Sequence, residues 1–111
     1  MIKLEKYNLP PLLKDGKNIS GKPIFIVFYA DWWGPCKMYE QVLNEVTPEY
    51  SDKINLYKVD ISEHEELAVA FGARSIPHNI FISKNSDVTA QPGSLDKDTL
   101  KYYLTGLISK K

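Results

Sequence analysis

A chain of 111 residues with 43% hydrophobic, 25% charged and 12% aromatic residues fits one globular domain, residues 1–111, and leaves no room for a separate catalytic domain. A domain of this length buries roughly two thirds of the surface its unfolded chain exposes, enough core to fold without disulfides or a structural metal. Fourteen Lys and Arg balance fourteen Asp and Glu, so the counterion release that drives nucleic-acid binding has no source, and nucleic acid is not an expected partner.

In chain order, an N-terminal segment from Ile2 to Tyr7 precedes Leu9-Pro10-Pro11-Leu12-Leu13, which reads as a short helical or irregular piece ended by Gly16 and the loop from Asn18 to Pro23. Ile24-Phe25-Ile26-Val27-Phe28-Tyr29 is continuously apolar and rich in β-branched and aromatic residues, as a strand buried on both faces requires, and is the predicted central strand. Even extended to Ala30, this longest apolar run falls far short of the ~20 residues that span a bilayer. Met1 to Lys6 begins no signal-peptide apolar region, so a soluble, cytoplasmic protein without a membrane partner is expected. Asp31-Trp32-Trp33-Gly34 forms a loop, and Pro35 suits the first turn of a helix running to about Ser51. Met38, Val42, Leu43, Val46 and Tyr50 give that helix its apolar stripe, while Lys37, Glu40, Asn44, Glu45 and Glu49 face water.

Ile54 to Asp60 reads as the next strand, and Ser62 with Glu65 as a capping box for a helix ending at Gly72. Asn79 to Ile82 is a strand, Lys84 to Asp87 a turn, and Val88 to Gln91 the antiparallel return of a hairpin. From about Asp96, Leu100, Tyr103, Leu104, Leu107 and Ile108 form one stripe of a final helix that only Gly106 weakens. The pattern predicts an α/β fold, a mixed sheet with helices on both faces.

By residue type the reactive candidate is Cys36. As the only cysteine it allows no intrachain disulfide, and His64 and His78 lack neighbours at zinc-ligand spacing, so neither a disulfide scaffold nor a metal site is expected. Pro35 places Cys36 in the first helical turn after the central strand. There the helix dipole favours an anion by ~0.3–1 kcal/mol and lowers a thiol's pKa, and Lys37 adds a positive charge nearby. The competing reading is a small, inert core residue.

The segment Phe28-Tyr29-Ala30-Asp31-Trp32-Trp33-Gly34-Pro35-Cys36-Lys37-Met38 resembles the active site of the thioredoxin family, typically Phe-x-Ala-x-Trp-Cys-Gly-Pro-Cys-Lys-Met. Lys58-Val59-Asp60 resembles the family's third strand, Phe71-Gly72 the end of its next helix, Ser75-Ile76-Pro77 its cis-proline loop, and Gly93 the glycine beside its groove. The resemblance implies a thioredoxin fold, a central four- or five-stranded sheet flanked by four helices. It also implies disulfide exchange with protein substrates held in extended form along Trp32, Gly34, Pro35, Ile76, Pro77 and Gly93, without a cofactor. In that chemistry a first cysteine attacks the substrate disulfide and a second resolves the mixed disulfide.

By this resemblance Cys36 is the second, resolving sulfur, and Trp33 stands in place of the attacking one. Indole has no route to a disulfide, so the dithiol reaction should be lost; a thioredoxin reductase would serve only a two-cysteine form. Val27 stands where the family commonly keeps a buried Asp that moves the proton of the second cysteine. His78 replaces a small hydroxyl residue, and Gln41 a kinking proline. His78 is a candidate for titration near Cys36, set against a purely structural strand-edge histidine. Lys58, without the acid, reads as a strand lysine at a sheet edge, and Glu63-His64-Glu65-Glu66 as a helix start.

Trp32 and Trp33 carry two readings, an exposed binding platform or Trp33 packed over Cys36 as a plug. Three functions follow. The chain is an oxidoreductase of this family missing its nucleophile, a redox-inactive module that binds extended peptides, or a monothiol protein whose Cys36 forms mixed disulfides if Trp33 leaves it accessible. If Val27 points beneath Cys36, desolvation of up to ~3–5 pKa units outweighs the dipole and the thiol reacts slowly.

Overall fold

The computed structural model of the chain describes residues 12–109 and the backbone of 2–3. The strands are β1 (Ile2–Lys3), β2 (Leu13–Lys14), β3 (Lys17–Asn18), β4 (Ile24–Tyr29), β5 (Asn55–Asp60), β6 (His78–Ile82) and β7 (Val88–Pro92). The helices among the described residues are α1 (Gly34–Val46), α2 (Glu65–Ala70) and α3 (Lys97–Ser109), with a 3-10 turn, Thr47–Tyr50, after α1.

The main sheet has five strands in the order β1-β5-β4-β6-β7. β4 runs parallel to β5 and antiparallel to β6, which gives the mixed α/β sheet predicted. Ile24 to Phe28 are all buried, and alternation divides β4 between two cores. Phe25 and Val27 pack with Tyr39, Leu43 and Val46 of α1 and with Leu100, Leu104 and Leu107 of α3. Ile24, Ile26 and Phe28 pack on the other face with Leu12 and with Leu67 and Ala68 of α2. The ring of Phe25 stacks on that of Phe81 across the β4–β6 pair at 4.7 Å.

The structure revises several expectations. Of the predicted short helical or irregular piece, Leu9 to Pro11 lie outside the described residues and Leu12 is helical, but from Leu13 the chain is a β2–β3 hairpin with Gly16 in its turn. Asp15 and Gly16 have φ of 52° and 75°, the left-handed pair that a two-residue hairpin turn demands. α1 stops at Val46 and continues as the 3-10 turn instead of running on to Ser51. Its buried stripe is Cys36, Tyr39, Leu43 and Val46, whereas Met38 is 75% exposed. The capping box does not form: α2 begins after His64 without a side-chain cap, and the Ser62 hydroxyl instead accepts the Trp32 indole N–H at 3.1 Å. No helix among the described residues is long and apolar enough to cross a membrane.

Candidate functional site

One edge of the sheet collects the loops of interest because of the strand directions. The C-terminal ends of parallel β4 and β5, the start of antiparallel β6 and the end of β7 all lie there, the edge where open α/β sheets commonly bind ligands. Trp33 is the N-cap residue of α1; its backbone is extended, and its carbonyl accepts the N–H groups of Cys36 and Lys37 at 3.1 and 3.3 Å. Gly34 and Pro35 form the first turn, and Pro35 leaves no N–H to satisfy. Cys36 follows, 6% exposed.

Beneath the thiol is a cavity of about 20 Å³ lined by Val27, Tyr29, Cys36, Tyr39, Glu40, Leu43, Lys58 and Pro77. Burial pushes the Cys36 thiol above its ordinary value, and the negative charges of Asp31 and Asp60 push it further; a backbone hydrogen bond to Ala30 acts the other way. The charges that influence this sulfur are therefore acidic, and the activating role expected of Lys37 is not seen. Val27 and Tyr29 are the central-strand residues on the wall of the same cavity, so that strand places no carboxylate there.

Trp32 and Trp33 are 68% and 43% exposed, and their rings meet edge to face at 6.0 Å. Trp33 is not part of the cavity under Cys36. The Trp32 indole is tied through Ser62 to the loop after β5, where Asp60 accepts the Ser62 N–H at 2.8 Å. Ile76 is half-buried, and the Ile76–Pro77 peptide bond is cis. Pro77 shares the cavity with Cys36, and its carbonyl accepts the N–H of Gly93 at 2.8 Å. Gly93, at φ 86°, adopts a backbone that favours glycine. The structure thus brings Cys36 and Pro77 to one small cavity, with Gly93 hydrogen-bonded to Pro77 and Pro35 preceding Cys36 in the first turn of α1.

Two residues sit elsewhere than expected. His78 starts β6, an interior strand, and pairs with Phe28 of β4. Cross-strand partners share a face, so His78 faces the α2 side with Phe28, opposite Cys36, and does not titrate beside it. Its Nδ1 is buried without a hydrogen-bond partner among the described residues, and burial lowers its pKa. Lys58 is not at a sheet edge: β5 lies between β1 and β4, and the ammonium stands 5.4 Å from the centre of the Tyr29 ring.

The sequence reading missed Tyr39 and Asn79. The Tyr39 hydroxyl donates to Asn79 Oδ1 at 2.6 Å, and burial raises the phenol's pKa. The spacing Tyr39, Leu43, Val46, Tyr50 was the available signal, since these steps of four, three and four residues trace a helix face. Among the described residues no cluster of His, Cys, Asp or Glu could hold a metal ion. A separate cleft of about 580 Å³ beside α3 and Phe81 shares no residue with the Cys36 cavity.

The thioredoxin family model matches residues 10–106. The chain belongs to the thioredoxin family. Thioredoxin from Haemophilus influenzae is 37% identical over 85 residues, 77% of this chain and 79% of that protein. Among solved structures, the germline-specific thioredoxin Deadhead of Drosophila melanogaster superposes with a TM-score of 0.71 at 32% identity, covering 78% of this chain and 82% of its own. Chloroplastic thioredoxin z superposes with a TM-score of 0.83 over 99% of this chain and 96% of its own at 18% identity, a likeness of fold. Family membership makes this chain a relative of thiol–disulfide oxidoreductases that act on proteins.

Proposed function

We propose that this protein keeps the peptide-recognition groove of the thioredoxin family without the dithiol reaction. It binds extended segments of protein partners over Trp32, Trp33, Gly34 and Pro35 and along the backbone of Ile76, Pro77 and Gly93. The observation that carries this reading is the sulfur count at the site: Cys36 is the only cysteine of the chain, it is buried, and the N-cap position before it holds an exposed Trp33. A disulfide exchanged in two steps needs two sulfurs, whereas recognition needs only an aromatic platform and a backbone edge. A thioredoxin reductase is a partner only for a form with a second cysteine, and no cofactor is required. A reducing, cytoplasmic setting, which keeps a lone thiol free, belongs to the same proposal.

Isothermal titration with carboxamidomethylated insulin B chain, an extended polypeptide without free thiols, tests the reading. Binding that is unchanged by reductant and weakened by about tenfold in Trp33→Ala, the scale of an aromatic hot spot, is expected. Binding that disappears when Cys36 is alkylated but persists in Trp33→Ala would instead place recognition at the sulfur.

A further inference from the structure

Asn79 is fully buried, yet it lies at the heart of an apolar sheet, paired with Val27 on one side and Gln91 on the other. Its side chain uses both amide protons and the amide oxygen. Nδ2 donates to the Gln91 carbonyl at 2.9 Å and to the Gly93 carbonyl at 2.8 Å, and Oδ1 accepts from Tyr39 at 2.6 Å. Beyond Pro92 the backbone gives one ladder bond, from the Gly93 N–H to the Pro77 carbonyl at 2.8 Å, but Pro77 has no N–H to return to the Gly93 carbonyl. The Asn79 amide supplies that donor from a side chain.

We propose that Tyr39 and Asn79 are positioning residues of the groove, a strut that ties the Gly93 wall to the helix carrying Cys36; this rests on the peptide-binding reading above. Tyr39 leaves α1 one turn after Cys36 and orients the Asn79 amide. Asn79 holds the end of β7, and Gly93 in turn donates to Pro77 at 2.8 Å. The chain of bonds runs from α1 through β6 to the segment after β7 and returns to the Ile76–Pro77 loop. Two backbone segments of the groove, the Ile76–Pro77 loop and Gly93, are in that circuit. Tyr39 also forms part of the outer cleft of about 350 Å³ in which Pro35 and Met38 face Ser94 and Leu95. A groove held in its bound shape before the peptide arrives loses less conformational freedom on binding, and that is how a buried strut raises affinity.

Amide hydrogen exchange and titration with carboxamidomethylated insulin B chain test the proposal in Tyr39→Phe and in the double variant Tyr39→Phe/Asn79→Leu. In Tyr39→Phe, the amides of Gly93, Ser94 and Leu95 should exchange up to about tenfold faster relative to the slowest core amides, the equivalent of one hydrogen bond. Affinity should fall by a similar factor. The double variant removes the Tyr39–Asn79 bond without leaving either side chain unpaired, but the Gln91 and Gly93 carbonyls lose the Asn79 donor, so its urea midpoint should lie below the parent's. Its Gly93 to Leu95 amides should exchange faster still relative to the slowest core amides, with weak binding. Loop exchange that rises only in step with the core amides in the double variant would overturn the proposal, as would unchanged loop exchange in Tyr39→Phe. If the parent protein binds no B chain, the peptide-binding reading falls, while the exchange experiment still decides whether the strut holds the wall.

Discussion

At Cys36 two influences of different range compete. A helix N-terminus stabilises a thiolate by ~0.3–1 kcal/mol, but it acts on a sulfur that is 6% exposed and faces Val27, with Asp31 and Asp60 near enough to oppose a further negative charge. Burial wins and the pKa rises. Native-state alkylation by iodoacetamide should therefore show its half-point above the ordinary thiol value of 9.0; a half-point at or below neutral pH would contradict this. A raised native pKa contributes stability that is complete below the unfolded value and is lost as pH rises through the native one. His78 works in the opposite sense. Its lowered pKa means that its contribution is complete above 6.5 and is lost as pH falls through the native value. The urea midpoint should fall on acidification below pH 6.5, and His78→Leu should flatten that limb. An equally steep limb in the variant would locate the titration elsewhere. The burial of Cys36 was legible because Val27 belongs to a continuously apolar strand. The influence of Asp60 was not, because it reaches Cys36 across the β4–β5 pair, a contact that composition and spacing do not encode.

At the scale of elements, short-range patterns that agreed with long-range packing were readable. The β6–β7 hairpin and α3 follow from alternation and from a single apolar stripe. Asp15-Gly16 carried an equally local hairpin signal, but it was overshadowed by the neighbouring prolines, and β2–β3 was missed. In α1, the pairing of Met38 with Val42 imitated a core stripe. Leu43, Val46 and Tyr50 are buried as predicted and Val42 packs partly against them, but the place given to Met38 belongs to Tyr39. Two glycines give opposite expectations. Gly106 lies inside α3 with no atom within 4 Å of where a Cβ would sit and no positive φ, so Gly106→Ala should stabilise by about 0.5–1 kcal/mol. Gly16 has equal space but φ of 75°, so Gly16→Ala should cost on the order of 1 kcal/mol or more. Thermal denaturation of the two variants checks both; a Gly106→Ala melting temperature at or below that of the parent would mean that the helix gains nothing there.

At the scale of the whole molecule, the two cores on either face of the sheet hold β4 rigidly, and β4 delivers α1 and Trp33 to the edge where β6 begins and β7 ends. That architecture was legible from the order of elements and from the family resemblance. The polar circuit that organises the edge was not, since Asn79 read as part of an apolar strand and its partners lie 40, 12 and 14 residues away. With a single cysteine the chain has no intrachain disulfide to brace this edge. On the proposed reading, recognition resides in the groove and redox turnover in a pair of sulfurs of which this chain holds one. The most direct measurement is insulin-disulfide reduction with dithiothreitol as electron source, comparing the protein with its Cys36→Ser and Trp33→Cys variants. The account predicts that the parent and Cys36→Ser both match the uncatalysed background, while Trp33→Cys accelerates it; a parent that reduces insulin faster than Cys36→Ser would contradict it.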